Sequence, residues 1–134
     1  MNYLFDSSGV FIAIKRRATN DFLVGNSTIS LARYELGNIL FVEYHVLKHI
    51  SKENLDEFIQ AGQDSFKLLD VFTIEGYEKN VLDVATKFNL SFYDASYVYF
   101  AKKMNVPLVT ADGKLKRKAG KYDRILTPDE FLAE

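Results

Sequence analysis

The sequence predicts an α/β fold, a three-layer α/β/α sandwich with a central, mainly parallel sheet of four to five strands. Two observations carry this prediction. Short apolar runs alternate with longer segments of helical hydrophobic spacing, which is typical of parallel strands joined by right-handed helical crossovers. Acidic residues recur where an apolar run gives way to helix-starting residues, and open α/β sheets bind their ligands at such strand ends.

The first half of the chain contains two predicted strands and three predicted helices. Tyr3–Phe5 is a short apolar strand, and Asp6 with the two serines after it supplies the N-cap of a first helix. A turn-rich stretch, Asn20–Asn26, leads to a second strand at Thr28–Ser30. A second helix is predicted from Leu31 to Ile50, and Ser51 caps a third, clearly amphipathic helix.

The predicted helix over residues 31–50 is apolar nearly all round, which predicts burial on more than one side. Gly37 and Asn38 interrupt this apolar pattern. Glycine inside a helix costs about 1 kcal/mol relative to alanine. The sequence therefore predicts close packing or a bound group beside Gly37.

The second half repeats the alternation of strand and helix. Leu69–Ile74 is the third predicted strand and precedes an amphipathic helix, and Ser91 opens a helix that runs to about Met104. The remaining predicted elements are a fourth strand at Pro107–Thr110, a helix over Lys114–Lys118, a fifth, edge strand at Arg124–Leu126, and a terminal helix opened by Thr127 and Pro128.

Length and composition restrict the class of protein. A chain of 134 residues fits one domain, residues 1–134. The absence of cysteine excludes disulfides, thiolate nucleophiles and cysteine metal sites, and is compatible with a reducing, cytoplasmic environment. The N-terminal segment has neither a basic region nor a long apolar stretch, which argues against secretion and membrane spanning. The net charge of −1 means that a polyanion must be bound by a local basic patch.

The aromatic content exceeds what a core of this size requires. The chain has 11 Phe and 8 Tyr but no Trp. Some of this ring surface is expected to serve self-association, because aromatic residues are enriched in protein interfaces.

Four acids, Asp6, Glu35, Asp94 and Asp112, are the candidate functional residues. Each also has a local explanation, because helix caps and first turns favour carboxylates: Asp6 and Asp112 as N-caps, Glu35 as a first-turn acid, and Asp94 closing a capping box with Ser91. Together, however, they converge on one predicted sheet edge. Two carboxylates about 4 Å apart repel by about 4 kcal/mol, so such a cluster requires a cation or raised pKa values.

The ligand chemistry points to Mg²⁺ or Mn²⁺, since the candidate ligands are all oxygens and Mg²⁺ takes few direct carboxylates together with waters. Such a metal serves phosphodiester hydrolysis by orienting and activating a water molecule. Ser8, Asn38 and Thr110 adjoin the acids in sequence and are candidates to support them or to contact phosphate. The basic residues Lys15, Arg16, Lys114, Arg117 and Lys118 are candidates to bind the phosphates of a nucleic acid, although each also suits a solvated helix end.

Two further sets of residues have competing interpretations. His45 and His49 are spaced to chelate a transition metal from one helix face, but no third ligand is evident, which favours a surface pair. Unpaired bases could stack on the aromatic residues Tyr93, Tyr97, Tyr99 and Phe100. Packing against the sheet or a partner subunit is the alternative, and it is favoured for Tyr97.

Four segments of the chain, in order, resemble the four motifs of PIN-domain ribonucleases, and the closest resemblance is to the VapC-type toxins of prokaryotes. The segments are residues 4–8, 34–38, 92–97 and 107–115, and the last, an apolar run into Thr110-Ala111-Asp112, is the most specific. This resemblance implies a PIN fold and a catalytic, metal-binding centre of Asp6, Glu35, Asp94 and Asp112. It also implies Mg²⁺ or Mn²⁺ dependence, endonucleolytic RNA cleavage, homodimers and neutralisation by a small antitoxin.

Three other functions remain open from the sequence. The chain could be a PIN-like module that holds RNA or a protein without cutting, or an RNA-processing nuclease outside a toxin system. A phosphorelay receiver has a related architecture, but its phosphoacceptor should end a middle strand, and the predicted strand ending at Ile74 has no acid there.

Overall fold

The computed structural model describes residues 2–134, and its central sheet has five strands that are all parallel. The spatial order is β3-β2-β1-β4-β5. This confirms the predicted α/β class and places the fifth strand at an edge. The strands are β1 (Leu4–Phe5), β2 (Ser27–Ile29), β3 (Asp70–Phe72), β4 (Leu108–Val109) and β5 (Ile125–Leu126).

Helices flank this sheet in two groups. The first four helices pack against one another, and the fifth packs against the sixth, which contacts β1 and β4. None of the helices within residues 2–134 is long and apolar enough to cross a membrane. The helices are α1 (Ser7–Lys15), α2 (Thr19–Leu23), α3 (Leu31–Phe41), α4 (Lys52–Ser65), α5 (Glu78–Phe88), α6 (Phe92–Met104), α7 (Gly113–Ala119) and α8 (Pro128–Leu132).

The helix starts follow the capping residues in the sequence. The side chains of Asp6, Ser51 and Asp112 accept hydrogen bonds from the first backbone N–H groups of α1, α4 and α7, respectively. Thr127 and Glu130 close a complete capping box at α8. These caps satisfy backbone donors that an isolated helix leaves without partners.

The prediction of one helix from Leu31 to Ile50 is wrong. The α-helix ends at Phe41, a π-helical turn covers Val42–Val46, and Lys48 adopts a left-handed conformation with φ of 55°. The apolar second half of this segment is not buried on several sides: Phe41, Val46 and Leu47 are 52%, 57% and 49% exposed. Apolar periodicity does not distinguish a surface that packs within the chain from one that is left exposed.

Two smaller expectations are also corrected. A Cβ atom added to Gly37 would meet no heavy atom within 4 Å, so this glycine is not required by close packing, and the alternative of a bound group beside it stays a prediction. The stretch Asn20–Asn26, predicted as turns, begins inside the short helix α2. Phe22 and Leu23 of that helix are fully buried, so tertiary packing stabilises a helix that the local sequence does not announce.

The sheet order brings the strand ends that carry acids next to one another. β1 pairs with both β2 and β4, with Leu4 opposite Ser27 and Leu108. Asp6 directly follows β1, Asp112 follows β4, and β2 leads into the helix that carries Glu35. The carboxyl ends of these three strands therefore lie at one edge of the sheet, the acidic crevice, with Asp6, Glu35 and Asp112 beside it.

Candidate active site

Asp6 is the buried acid of the site. Its Oδ1 accepts hydrogen bonds from Gly9 N (2.9 Å) and Ser8 Oγ (2.7 Å), and its Oδ2 accepts one from the Thr110 hydroxyl. The pKa of Asp6 is raised to about 6, because burial and, to a smaller extent, the negative charge of Glu35 outweigh the three hydrogen bonds, which lower it. The carboxylate is thus held firmly in a place where its charge is costly.

Gly9 allows α1 to approach the sheet at this point. A Cβ atom at this position would lie 3.0 Å from Phe5 Cδ2 and 3.0 Å from the backbone oxygen of Val109. The absence of a side chain therefore lets the first turn of α1 lie against β1 and β4. This close approach places the N–H of Gly9 against the Asp6 carboxylate.

Ser8 and Thr110 connect Asp6 to the loop that carries Asp112. The Ser8 and Thr110 hydroxyl oxygens are 3.2 Å apart. Ser8 Oγ also accepts from the N–H of Ala111, and Thr110 Oγ1 accepts from the N–H of Asp112 (3.0 Å). Both residues were predicted to support the acids, and the structure places them in direct contact with Asp6.

Glu35 lies in the second turn of α3, and not in the first turn as predicted. Its Oε1 accepts hydrogen bonds from the Tyr97 hydroxyl (2.7 Å) and from Ser7 Oγ (3.2 Å). Tyr97 is almost completely buried, and burial together with this hydrogen bond raises the pKa of its phenol. Tyr97 therefore remains protonated and serves as a fixed donor to Glu35.

The roles of Tyr97 and Ser7 at Glu35 were not found in the sequence. Tyr97 packs in the core, as expected, but its hydroxyl also reaches the site. One signal was available, because Tyr97 lies three residues after Asp94 and thus on the same side of α6. Ser7 offered no comparable signal beyond its position next to Asp6.

Asp94 and Asp112 share a cavity of about 240 Å³. The Ser91 hydroxyl accepts a hydrogen bond from the N–H of Asp94, but the return bond of a full capping box is absent from the hydrogen bonds of residues 2–134. Burial raises the pKa of Asp94, the charges of Asp112 and Glu35 raise it further, and Lys118 lowers it. Asp94 therefore faces the other acids, and capping does not fully account for it.

The four acids form a series of neighbouring charges and not a closed cluster. Glu35 acts on Asp6 and Asp94, and Asp112 acts on Asp94. Among residues 2–134 no three His, Asp or Glu side chains are close enough together to hold a metal ion. The prediction that these acids bind a cation, directly or through water, therefore stays a prediction.

The oxygen atoms of these acids nevertheless suit a hard cation. Asp112 Oδ1 accepts from two backbone N–H groups and Glu35 Oε1 accepts from two side chains. Within the described residues no hydrogen bond reaches Asp112 Oδ2 or Glu35 Oε2. One oxygen of each carboxylate is therefore fixed by the protein while the other is available, which fits Mg²⁺ held by few carboxylates and several waters.

The predicted RNA-binding residues fall into two groups. Lys114 and Lys118 line the cavity of Asp94 and Asp112, and the Arg117 guanidinium lies against Gly113 at the start of α7. Lys15 and Arg16 are not brought to the acids. Because α1 starts at Asp6, its last turn lies about 13 Å along the helix axis from the site, and Arg16 pairs there with Asp129.

The predicted aromatic residues also separate. Tyr99 and Phe100 pack in a cluster with Tyr77, which accounts for them as structural residues. Tyr93 is 59% exposed and lines a cavity of about 360 Å³ beside Glu35. Asn38 lines the same cavity and hydrogen-bonds none of the four acids within residues 2–134.

The two histidines do not form a metal site. His45 stacks on Phe41, whereas His49 Nδ1 lies 2.9 Å from Glu43 Oε2. The left-handed Lys48 ends the helical spacing between them. A surface pair is the account that the structure supports.

Comparison with known proteins identifies similar chains, although no family model matches this one. The chain is 30% identical over 102 residues to "Ribonuclease VapC3" of Pyrobaculum aerophilum, over 75% of this chain and 74% of that relative. It is 34% identical over 90 residues to "Exonuclease VapC9" of the same organism, over 67% of this chain and 64% of the relative.

Solved structures share the fold. The crystal structure of PAE2754 from Pyrobaculum aerophilum has a TM-score of 0.81 and 24% identity, covering 99% of this chain and 96% of that one. A toxin–antitoxin complex from Klebsiella pneumoniae has a TM-score of 0.61 and 12% identity, covering 94% and 97%. VapBC2 from Rickettsia felis, bound to a promoter DNA fragment, has a TM-score of 0.59 and 14% identity, covering 95% and 97%.

Proposed function

The chain belongs to the VapC family of PIN-domain proteins, and from this membership we propose that it is a Mg²⁺- or Mn²⁺-dependent endoribonuclease. The observation that carries the proposal is the series of four acids at the carboxyl edge of the sheet, each with a neighbour of the same charge. Such an arrangement is unfavourable without a cation. Two relatives in the family bear the names of a ribonuclease and an exonuclease.

The residues that would hold the metal are Asp6, Glu35, Asp94 and Asp112, directly or through water. Glu35 Oε2 and Asp112 Oδ2 are the oxygens best placed for this role, because hydrogen bonds fix their partner oxygens. Both oxygens of Asp6 accept hydrogen bonds from the protein, so its carboxylate is held in place beside the others. When bound, the cation supplies an activated water and positive charge for the scissile phosphate.

Neighbouring hydroxyl groups fix the orientation of two of these carboxylates. Thr110 and Ser8 hold the Asp6 carboxylate, and Tyr97 holds Glu35. In the cavity that Asp94 and Asp112 line, the ammonium groups of Lys114 and Lys118 can bind phosphates next to the scissile bond. The acids therefore bind the cation while the lysines orient the RNA backbone.

We further propose that the chain is the toxin of a cytoplasmic toxin–antitoxin pair and that it forms homodimers. Two structures with the same fold are a toxin–antitoxin complex and a VapBC2 assembly. The exposed apolar residues Phe41, Val46 and Leu47 supply surface that a second copy or a small antitoxin can cover.

Cleavage of a circular single-stranded RNA tests the nuclease assignment, because only an endonuclease cuts a substrate without ends. The unsubstituted protein is expected to cut it with Mg²⁺ or Mn²⁺ and not with EDTA. Asp94→Asn should abolish cutting, whereas Asp56→Asn, an exposed acid of α4 paired with Lys52, should retain it. Full activity of Asp94→Asn would refute the proposed centre.

The same assay separates the alternatives. Cutting of linear but not circular RNA would indicate an exonuclease. Retention of RNA without any cutting, at every Mg²⁺ and Mn²⁺ concentration, would indicate a binding module. Co-expression with the product of a short adjacent reading frame tests the toxin role, since an antitoxin should restore growth and copurify.

A further inference from the structure

The mouth of the acidic crevice carries two exposed tyrosines. Tyr34 directly precedes Glu35 on α3, and Tyr93 directly precedes Asp94 on α6. They are 81% and 59% exposed, more than any other aromatic side chain among the exposed apolar residues. Most other aromatic rings of residues 2–134 are buried or partly buried, so the position of these two beside two acids requires an explanation.

Both tyrosines line two cavities, which also have Leu31 in common. The first, about 360 Å³, also contains Glu35 and Asn38. The second, about 230 Å³, is lined by apolar side chains that include Ile74 and Phe92. A planar group entering between the rings would therefore meet apolar surface on one side and Glu35 on the other.

The polar atoms of these side chains are free for a ligand. Within residues 2–134, no hydrogen bond engages the hydroxyls of Tyr34 and Tyr93 or the amide of Asn38, and neither ring stacks on another aromatic ring. Tyr3, Tyr77 and Tyr122, in contrast, each pack against a second ring. Two unstacked rings with an adjacent free amide match the chemistry of an unpaired nucleobase, which needs a stacking surface and a donor–acceptor pair.

We propose that Tyr34 and Tyr93 bind one unpaired nucleobase of the RNA by stacking, and that the Asn38 amide reads the edge of this base. The inference rests on the proposed RNA cleavage and extends it to the choice of nucleotide beside the scissile bond. RNA strands without base pairing are thereby the preferred substrates, since a base inside a duplex cannot enter between the rings.

The charge distribution favours RNA over an apolar protein segment at this site. The cavity of the tyrosines contains Glu35. Asp94, the residue after Tyr93, lines the cavity that contains Lys114 and Lys118. A nucleotide chain matches these surfaces in the same order: a base on the tyrosine rings, a metal-bound phosphate at the acids, and further phosphates at the lysines. An apolar helix would cover the acids without giving them partners, which costs free energy.

Equilibrium binding tests this site without cleavage. The probe is a short single-stranded RNA with one 2-aminopurine, measured by its fluorescence with Mg²⁺ in the Asp94→Asn background. Tyr34→Ala and Tyr93→Ala should each weaken binding by about 5- to 150-fold, which corresponds to a stacking energy of about 1–3 kcal/mol. Tyr34→Phe and Tyr93→Phe keep the rings and should bind nearly as well as the parent.

A matched control and a second measurement sharpen the result. Leu82→Ala removes an apolar side chain that is 53% exposed on α5 and lines neither cavity of the tyrosines, and should leave RNA binding unchanged. An abasic nucleotide moved along the RNA should weaken binding strongly at one position only. At this position the losses from the abasic nucleotide and from Tyr93→Ala should not add, because both remove the same contact.

The base site is wrong if the Asp94→Asn protein does not bind single-stranded RNA, or if both alanine variants bind it normally. Normal RNA binding together with altered sedimentation of the alanine variants would instead assign the tyrosines to a contact between copies. The cleavage assay on the unsubstituted protein is independent of these results. If the protein cuts RNA but binding does not depend on the tyrosines, only the proposed base site is refuted. If binding depends on the tyrosines but the protein does not cut RNA, only the proposed nuclease activity is refuted.

Discussion

Asp6 shows at the scale of one residue how the site depends on an unfavourable charge. Its carboxylate is buried and accepts three hydrogen bonds, yet its pKa is raised to about 6 from the ordinary value of 3.8. The hydrogen bonds do not fully compensate for the lost hydration. A bound cation would supply the missing compensation. The metal-free protein is therefore expected to have a lower free energy of unfolding than the metal-bound protein.

The first prediction concerns the pH dependence of this cost. Because the folded-state pKa of Asp6 exceeds the unfolded one, its contribution to stability is fully present below about pH 4 and is lost as pH rises through 6. In EDTA at pH 7, Asp6→Asn should therefore be more stable than the parent by up to about 3 kcal/mol. Urea unfolding at several pH values measures this difference.

The difference between Asp6→Asn and the parent should disappear at about pH 3, where Asp6 is protonated in both states. Added Mg²⁺ should stabilise the parent and leave the variant unchanged. An equal pH dependence in both proteins would show that burial of Asp6 is not the cause.

Tyr97 gives the second prediction at this scale. Tyr97→Phe removes the donor to Glu35 Oε1 and should destabilise the protein by about 1–2 kcal/mol, as expected for a hydrogen bond to a carboxylate. It should also reduce RNA cleavage while shifting the Mg²⁺ concentration for half-maximal rate upward. Tyr99→Phe, in the aromatic cluster with Tyr77, is the control and should not shift that concentration.

At the scale of elements, the start of α1 determines the geometry of the site. Asp6 ends β1, caps α1 and faces Thr110 of the neighbouring β4 loop, so one residue belongs to three parts of the fold. Gly9 makes this possible by letting the helix lie against the sheet. In α3, by contrast, Gly37 has open space around its Cα and no packing requirement.

Substitution of these two glycines by alanine should therefore have opposite effects on the free energy of unfolding. Gly37→Ala should stabilise the protein by about 0.5–1 kcal/mol through helix propensity alone. Gly9→Ala should destabilise it by about 1–3 kcal/mol because the new Cβ overlaps Phe5 and Val109. Thermal unfolding of both variants measures the signs, and stabilisation by Gly9→Ala would contradict the close approach of α1 to the sheet.

At the scale of the whole molecule, a net charge of −1 provides no general attraction for RNA. The basic residues must act locally, and the structure separates them by position. Lys114 and Lys118 adjoin the acids, whereas Lys15 and Arg16 lie at the far end of α1.

The salt dependence of RNA binding tests this separation. Lys114→Ala and Lys118→Ala should each reduce the slope of log K against log[salt] by about 0.7–1, because each removes one phosphate contact. Arg16→Ala, at the far end of α1, and Lys67→Ala, on the chain after α4, should leave the slope unchanged. A reduced slope for Arg16→Ala would show that RNA extends along α1.

The sequence by itself determined the order of strands and helices, most caps and the positions of the four acids. These features are local: a cap, an apolar run or an acid after a strand depends on neighbours a few residues away. The carboxyl edge could also be predicted, since parallel strands joined by helices leave their ends on one side.

Only the tertiary structure decided which side chains meet at this edge. Thr110 and Asp6 are 104 residues apart in the sequence, and Tyr97 and Glu35 are 62 apart. Such pairs depend on the strand order and on the directions of individual side chains, which no local pattern contains. The same dependence left Lys15 and Arg16 away from the acids, ended α3 at Phe41, and exposed Tyr34 and Tyr93 at the mouth of the crevice.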